Sequence, residues 1–505
     1  MHMLTALHGS AVSPLPQPLS HTLSGTEWTL EDLLGIERVC AQHAARYRLD
    51  TFPNQMEVIT SEQMLDGYVS SGLPVNYGHW SFGKHFLIEN ARYRSGQNSL
   101  AYEIVINTNP CIAFLMEDNS LAMQALVIPH ACFGHNSFSK GNYLFRQWTQ
   151  PDAILDYMLF ARNYIAECEE RHGAERVEQT LDALHALRDQ GLDKYKRPTR
   201  LDSRKERIEQ AKRLFAAQET MRQAEYYSVV PHTERPATSE AVFPANPEEN
   251  LLYFLEKHAP KLEPWQRELA RIVRKISQYF YPQRQTQVMN EGWATFWHHR
   301  LINDMYDAGQ IDQGILLECL HSHTNVVRQR EYSQLNPYAL GFAAWNEIKR
   351  VCENPTDEDR EYLPQIAGSD WLETFHDTMQ NYRDESFLLQ FLTPKLVRDF
   401  KFMHIQTRAG LDHWTVDATA GAEGFKAIRS QLSASYRLES TMPEISVVRY
   451  ARDTDRKLVL QHQSYNGKLL LAAQADQTLR HLRSLWGFEV TLESVDQNGA
   501  TLKTY

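Results

Sequence analysis

Hydrophobic residues recur with helical spacing along much of the chain, and the clearest case is the segment 287–299. On a helix with 3.6 residues per turn, Glu291, Thr295 and His298 fall on one narrow stripe. The opposite side is aromatic and carries Trp293, Phe296 and Trp297. A Glu and a His that share a face shielded from water need either a hydrogen-bonding partner or a metal ion. The stripe therefore predicts one of two things: a buried structural pair, or a metal or catalytic site.

Residues 26–402 are predicted to form a mainly α-helical main domain. Thr29 is placed to cap an N-terminal helix. Long helix-periodic segments cover residues 151–188, 250–281 and 370–398. Strand patterns are confined to a β-branched run at 102–107 and an apolar run at 111–116, which together predict a short β-hairpin.

The pattern changes near residue 402, where shorter strands and helices begin to alternate. Two strands are predicted at 445–450 and 457–463, and Asn466-Gly467 is a strong turn signal into a further strand at 468–471. A helix and a last strand complete a small C-terminal α+β domain. We thus expect three parts, namely a mobile leader (1–25), a helical core domain (26–402) and the α+β domain (403–505).

A second chemically informative stretch, 121–136, places an apolar helix before His130 and His135. Histidines that bind one metal from a helix are usually four residues apart, whereas these two are five apart. Both could bind one ion only if Pro129 or Gly134 breaks or bulges the helix. Otherwise they are core or capping histidines, and the sequence supports both interpretations.

Composition narrows the class of protein. A chain of 505 residues is too long for one ordinary core. Its net charge of −11 argues against a nucleic-acid-binding surface, and the basic run at 194–207 is typical of a solvated helix or linker. The six cysteines are scattered and fit a reducing compartment. No apolar stretch approaches the roughly 20 residues of a membrane span, and no secretory signal is visible, so a cytoplasmic protein is expected.

A di-iron centre is a competing template for the metal. Such sites combine Glu-x-x-His pairs from two helices with further glutamates. Three such pairs occur here: Glu169/His172, Glu318/His321 and Glu373/His376. With 21 histidines in the chain, a few of these pairs are expected from composition alone, so this template has low weight.

Several long motifs, taken together, resemble the SpoVR family, the stage V sporulation protein R group of bacteria. The matching motifs are Gly-His-Trp-Ser-Phe-Gly-Lys at 78–84, Tyr-Glu-Ile-Val-Ile-Asn at 102–107, Gly-His-Asn at 134–136, Tyr-Phe-Tyr-Pro-Gln at 279–283, Met-Asn-Glu-Gly-Trp-Ala at 289–294 and Asn-Pro-Tyr-Ala-Leu-Gly at 336–341. The likeness extends over roughly residues 27–493. It implies a link to spore cortex formation, or to stress responses alongside a serine protein kinase and a von Willebrand A-like protein. It implies no settled reaction.

A shorter resemblance is chemical. Asn-Glu-Gly-Trp-Ala at 290–294 is similar to the Asn-Glu-Gly-Phe-Ala helix of aminopeptidase N-type zinc peptidases, whose Glu binds zinc. The resemblance implies that Glu291 is a ligand, with His130 and His135 in place of the usual His pair. The His-Glu-x-x-His motif itself is missing, and with it the general base. Candidates to replace that base are Glu167, Glu169 and Glu170.

We therefore predict a SpoVR-like protein whose main domain binds a divalent metal, most naturally zinc, through His130, His135 and Glu291. If it is an enzyme, it is a metal-dependent hydrolase of an amide bond in a peptide or peptidoglycan precursor, with Glu291 and His298 in catalytic roles. The alternative is a non-enzymatic regulator or scaffold acting with the kinase and the von Willebrand A-like partner. In that case, the Glu–His stripe is structural.

Overall fold

The structure is a computed structural model that describes most of the chain. The described residues are 2–5, 21–64, 77–79, 103–193, 243–244, 246–330, 333–402, 404–406, 415–418, 422–437, 442–451, 454–465 and 467–505. The predicted leader is described only at its two ends, and the basic run 194–207 lies outside the described residues. The 78–84 motif is described only at its first two residues.

Helices dominate the described chain as far as residue 402, and short strands alternate with helices after it. The first elements are β1 (His2–Thr5), α1 (Leu30–Arg46), β2 (Asn54–Ile59), β3 (Glu103–Ile106), β4 (Cys111–Met116), α2 (Leu121–Ile128), a π-helical segment (Pro129–His135), α3 (Asn136–Gly141), α4 (Tyr143–Trp148), α5 (Ile154–His172), α6 (Ala174–Ala186) and a 3₁₀ turn (Arg188–Gln190). The central elements are α7 (Leu251–His258), α8 (Pro264–Gln285), α9 (Gln287–Asp307), α10 (Gln313–Val326), α11 (Pro337–Glu353), α12 (Asp357–Tyr362), α13 (Trp371–Asn381), α14 (Asp384–Phe391) and α15 (Pro394–Asp399). The last elements are β5 (His404–Gln406), β6 (Thr415–Ala418), α16 (Ala422–Ser435), β7 (Ile445–Tyr450), β8 (Leu458–Gln463), α17 (Ala472–Trp486), β9 (Val490–Val495) and β10 (Thr501–Thr504).

Backbone contacts divide the chain into two compact units. The first contains Met1–Leu181 and Lys275–Met442, and the second contains Asp182–Arg274 and Pro443–Tyr505. The domain limits predicted from the sequence, 26–402 and 403–505, stay predictions. Within the described ranges, no helix has the combination of length and apolar character that crossing a bilayer requires.

The first unit is mainly helical, as the sequence predicts, and contains a four-stranded sheet (β1-β2-β4-β3) and the two-stranded pair β5–β6. The predicted hairpin is confirmed, because β3 and β4 pair antiparallel. The sheet is larger than a hairpin, however, since β2 lies parallel to β4 and β1 antiparallel to β2. Every residue of β4 is buried, which is typical of a strand that is covered on both faces.

The N-terminal helix begins where its capping residue predicts. The Thr29 hydroxyl accepts a hydrogen bond from the Asp32 amide, and the Asp32 carboxylate accepts from the Thr29 amide, so the two residues form a capping box. Leu33, Ile36 and Val39 then face the core at helical spacing. The predicted cap at Thr29 is confirmed.

Helix α9 runs through the core of the first unit. Trp293 and Trp297 are fully buried in the main hydrophobic cluster. The helix begins against Asp384, whose carboxylate accepts hydrogen bonds from the Val288 and Met289 amides at 2.9 Å each. These amides belong to the first turn and have no partner within the helix, so the buried carboxylate supplies one.

Helices α9 and α11 cross at two glycines. A Cβ placed on Gly292 would lie 2.3 Å from the Gly341 carbonyl carbon, and one placed on Gly341 would lie 2.1 Å from the Val288 carbonyl oxygen. Only glycine permits this close backbone approach. The crossing sets the rotation of α9 about its own axis, and with it the direction of the Glu291 side chain, which precedes Gly292.

The helix that carries the two histidines widens at Pro129. Residues Pro129–His135 form a π-helical segment, in which hydrogen bonds join residues five apart. Proline has no amide hydrogen to donate to the preceding turn, which favours this change in register. The predicted condition for bringing His130 and His135 to one ion, a bulge at Pro129 or Gly134, is confirmed. Gly134 is required here, because a Cβ would lie 2.5 Å from the Ala294 Cα.

In the second unit, the C-terminal strands form a four-stranded sheet in the order β10-β9-β8-β7. The predicted strand at 445–450 is confirmed, and the one at 457–463 begins one residue later. The predicted strand at 468–471 is wrong, since these residues lead directly into α17. The physical reason lies in the pairing of β8, which has β7 as its antiparallel neighbour and β9 as its parallel neighbour. A parallel neighbour needs a long crossover connection, so residues 468–471 lead into the crossover helix instead of returning as a hairpin strand.

Candidate metal centre

Two elements of the first unit bring Glu103, His130 and His135 together. Glu103 begins strand β3, and the two histidines lie at either end of the π-helical segment. One donor atom from each side chain lies within 4.8 Å of the others, which is close enough for all three to bind one metal ion. Among the described residues, these are the His, Cys, Asp and Glu side chains that meet this distance. Two imidazoles and a carboxylate are a common ligand set for catalytic zinc.

Glu291 from helix α9 lies beside this group. Its Oε2 atom is 3.6 Å from Nε2 of His135. The other ring nitrogen of His135, Nδ1, lies 3.0 Å from Oδ1 of Asn290. An amide oxygen only accepts hydrogen bonds, so Nδ1 carries the proton and the Nε2 lone pair is directed towards Glu291. A neighbouring residue on α9 thus orients the candidate ligand His135.

His130 joins the group to two further histidines. Its Nε2 atom is 3.5 Å from Oε1 of Glu103, and its Nδ1 atom is 2.8 Å from Nδ1 of His298. Nε2 of His298 is in turn 2.8 Å from Nδ1 of His323 on α10. The rings of His130 and His135 are perpendicular, with centroids 4.6 Å apart. A continuous imidazole chain therefore leads from the carboxylates to helix α10.

The electrostatics of the group favour a bound cation. Burial, with a further contribution from the charge of Glu291, raises the pKa of Glu103 to about 8. Burial also raises the pKa of Glu291, although His135 and a hydrogen bond from Tyr338 oppose this. Burial lowers the pKa of His130 well below its usual value. Both acids are thus disfavoured as anions and the imidazole as a cation. A metal ion would stabilise the carboxylate anions, and it binds an imidazole in the neutral form that burial already favours.

The imidazole chain is neutral for the same reason. Burial and the neighbouring histidines lower the pKa of His298 well below its usual value. Burial, followed by the charge of His299, lowers the pKa of His323 to about 4. A neutral imidazole has one N–H donor and one lone pair, so each ring can donate to one neighbour and accept from the other.

The group faces a cavity of about 510 Å³, a size typical of small-molecule sites. Glu103, His135 and Glu291 line it, together with Asn290, Arg284 and Tyr338. The side chains of Glu103 and Glu291 remain 17% and 20% exposed, and this exposure is what makes them accessible from the cavity. A ligand in the cavity could therefore reach both carboxylates.

One oxygen of the site has an unmet hydrogen-bonding requirement. The Oε2 atom of Glu291 is buried and has no hydrogen-bond partner among the described residues. An unpaired buried carboxylate oxygen costs free energy unless a proton or a cation satisfies it. This orphaned atom, together with the donor set of Glu103, His130 and His135, fits a divalent metal ion.

The predicted site residues separate into two sets. His135 and Glu291 line the cavity, and His130 packs against His135 just beneath its surface. His298 is 1% exposed and contacts the Nδ1 atom of His130. Glu291 and His298 share a stripe but have different partners, so the predicted Glu–His pair is two separate contacts. The metal and catalytic roles predicted for these four residues stay predictions.

Sequence reasoning missed Glu103 and left other acids as candidates. The β-branched run at 102–107 indicates a strand but nothing of chemistry. The alternative general bases at the end of α5 (Glu167, Glu169 and Glu170) are exposed. The His321 side chain is exposed, and the His376 ring contacts the Tyr47 carbonyl oxygen at 2.9 Å. The described group thus contains none of the three Glu-x-x-His pairs.

Comparisons with known proteins identify the family. Residues 27–441 match the model of the SpoVR-like protein family, and residues 443–497 match that of the SpoVR-like C-terminal domain. The chain is 50% identical over 484 residues to the uncharacterized protein YcgB of Escherichia coli strain K12, and the match covers 94% of each chain. No solved structure matches. The chain belongs to the SpoVR family.

Proposed function

We propose that this SpoVR-family protein is a metal-dependent amide hydrolase that uses zinc. The observation that supports the proposal is the convergence of two carboxylates and two imidazoles, since Glu103, His135 and Glu291 line one cavity and His130 lies beside Glu103. The six cysteines are buried free thiols, and none of them belongs to the group of Glu103, His130 and His135. They therefore give no competing thiolate site among the described residues. Zinc, with His and carboxylate ligands and an open position, fits this donor set.

Each residue of the group has a proposed role. Glu103, His130 and His135 would hold the metal, which supplies Lewis acidity and makes a water molecule more acidic. Glu291 would act as the proton acceptor: burial raises the pKa of its carboxyl, and its Oε2 atom lies 3.6 Å from His135 with no hydrogen-bond partner among the described residues. The Tyr338 hydroxyl holds the other side of this carboxylate by donating to it. His298 would position His130 through its contact with the Nδ1 atom of that ring.

The cavity lining favours an amide-rich substrate. Gln283, Gln287 and Asn290 provide side-chain amides, and Arg284 adds a positive charge. Amide side chains can pair with backbone N–H and C=O groups, and a guanidinium can pair with a carboxylate. A short peptide, including one derived from peptidoglycan, carries both kinds of group. We propose that substrate class.

Elemental analysis of natively purified protein tests the metal. Near-stoichiometric zinc is expected in the wild type, and we expect Glu103→Ala and His135→Ala to lose it. Glu318→Ala is a matched control, because Glu318 belongs to a Glu-x-x-His pair outside the group and bonds Ser120 instead. It should retain zinc. A wild type that contains no metal, even after zinc is supplied, would refute the proposal.

A fourth variant tests the chemistry separately. Glu291→Gln keeps the shape of the side chain but removes the proton acceptor. We expect it to retain zinc and to lose amide hydrolysis on a panel of short peptides and peptidoglycan-derived peptides. Zinc loss in this variant would instead make Glu291 a ligand, as the sequence predicts. Undiminished hydrolysis would exclude Glu291 as the base.

The second candidate is a non-enzymatic regulator in sporulation or stress response, acting in the cytoplasm with a serine protein kinase and a von Willebrand A-like protein. A cavity of about 200 Å³ in the second unit supports it, because half of its lining residues are leucines. Leu471, which lines this cavity, is 68% exposed. Leu471→Asp should abolish co-purification with these partners without removing zinc. Unchanged co-purification would count against this surface.

A further inference from the structure

We propose that His323 and His298 form a directional hydrogen-bond chain that sets the tautomer of His130, leaving its Nε2 lone pair directed at the Glu103 side of the cavity. The proposal rests on the proposed metal site, and it makes His298 and His323 positioning residues. It concerns where the protons lie on three neutral rings.

The chain has two possible polarities. Each imidazole–imidazole contact of 2.8 Å requires one N–H and one lone pair. In one polarity, Nδ1 of His130 donates to His298, Nε2 of His298 donates to His323, and Nε2 of His130 is a lone pair. In the other, every bond is reversed and Nε2 of His130 carries a proton towards Glu103. Only the first polarity leaves His130 able to bind a metal through Nε2.

A backbone contact of His130 supports the first polarity, which is also the one that the proposed metal site requires. The carbonyl oxygen of Ala294 on α9 accepts a hydrogen bond from the His130 ring. Nε2 of His130 faces Glu103 on strand β3, whereas Nδ1 faces His298, which lies one turn after Ala294 on the same helix. The nitrogen on the α9 side is therefore Nδ1. Because a carbonyl cannot donate, that nitrogen carries the proton.

The two candidate ligands are then oriented in the same way. Asn290 accepts from Nδ1 of His135, and His298 accepts from Nδ1 of His130. The Nε2 atoms then face Glu291 and Glu103, respectively, and both of these carboxylates line the cavity. Groups that bond the outer nitrogen of a metal-binding histidine fix its tautomer and orientation, and their loss typically costs 10–100-fold in metal affinity. Helix α9 thus supplies the outer partner for both histidines.

The test measures zinc affinity by chelator competition in the full-length protein. His298→Phe keeps a ring of similar size but cannot accept a hydrogen bond, and we expect about a 10–100-fold loss in affinity. His298→Asn can accept from His130 through its Oδ1 atom and should recover most of that loss. Thr295→Val is the matched control on the same helix: its hydroxyl is buried without a hydrogen-bond partner among the described residues. It should bind zinc as the wild type does.

A second readout distinguishes failure of this inference from failure of the proposed function. ¹⁵N NMR of metal-free protein labelled at histidine reports which nitrogen of each ring carries the proton, and the signals that His130→Gln removes identify His130. We expect Nδ1–H in the wild type and a shift towards Nε2–H in His298→Phe. A protonated Nε2 in the wild type would overturn the inference whether or not zinc binds. Equal zinc loss in the Phe and Asn variants would overturn it as well.

Discussion

Replacing Gly292 by alanine tests whether the close helix crossing supports the candidate metal centre. A Cβ at this position would lie 2.3 Å from the carbonyl carbon of Gly341 and 2.5 Å from its Cα. Carbon atoms pack at about 3.5–4.0 Å, so α9 and α11 must separate by about 1.2 Å, the difference between 3.5 and 2.3 Å. Both obstacles are backbone atoms, so a change of rotamer cannot relieve the clash.

The expected cost follows from two opposing terms. Alanine is better than glycine in a helix interior by about 1 kcal/mol. Overpacking typically costs about 1–3 kcal/mol, and displacement of a whole helix favours the upper end. We expect a net loss of about 2 kcal/mol in the free energy of unfolding. Zinc affinity should fall too, because Asn290, which orients the proposed ligand His135, lies two residues before Gly292 on the displaced α9.

Urea unfolding measures this loss as a lower midpoint at an unchanged slope. Gly314→Ala is the matched control. Gly314 also lies in a helix, but the nearest neighbour of its Cβ would be the Asp312 side chain at 3.3 Å. That side chain can move, so we expect stability within about 1 kcal/mol of the wild type. If the two variants unfold at the same urea concentration, the crossing tolerates a side chain and the reasoning fails.

Three further predictions concern pH and capping. Zinc binding should strengthen as pH rises through about 8, because the Glu103 carboxyl, whose pKa burial raises to about 8, must lose its proton to bind a cation; a flat profile in chelator competition would contradict this. Burial raises the pKa of Asp384 to about 7, so the folded state binds an extra proton between about pH 4 and about pH 7. As pH rises over that interval, the free energy of unfolding of the wild type, measured in urea, should therefore fall relative to that of Asp384→Asn. A rise would exclude Asp384 as the cause. Thr29→Ala should cost about 1 kcal/mol, since its hydroxyl caps α1; unchanged urea unfolding would show that the cap contributes nothing.

Local signals in the sequence predict much of the fold. Thr29 caps a helix because its hydroxyl acts within one turn. The β-branched residues of Ile445–Tyr450 predict a strand, and their burial largely alternates, as in a strand with one covered face. The bulge needed to bring His130 and His135 together is also a local effect, since Pro129 lacks the amide hydrogen that a regular helix requires. These features depend on residues a few positions apart, which is the range over which a sequence pattern carries structural information.

The missing parts of the site depend on contacts between distant residues. Glu103 reaches His130 only because β3 pairs with β4 next to the π-helical segment, and a strand pattern does not reveal its neighbours. Helix periodicity places His298 on the stripe of Glu291, but it cannot show that another helix supplies His323 as the partner. The incorrect strand at 468–471 has the same origin, because the pairing of β8 with β9 is a long-range contact.

The arrangement of α9 argues that the group around Glu103 is more than structural. Buried polar groups normally find partners, and apolar replacements of a buried charged pair are often neutral or stabilising. Here, Glu291 keeps an unpaired buried oxygen, while Glu103 and Glu291 raise each other's cost as anions. A purely structural site would be expected to pair these atoms, as Asp384 does with two amides at the start of the same helix. A cation held by Glu103 and the two Nε2 lone pairs would satisfy those three groups, and a water molecule donating to Oε2 of Glu291 would satisfy the fourth. The zinc measurement tests the first of these requirements.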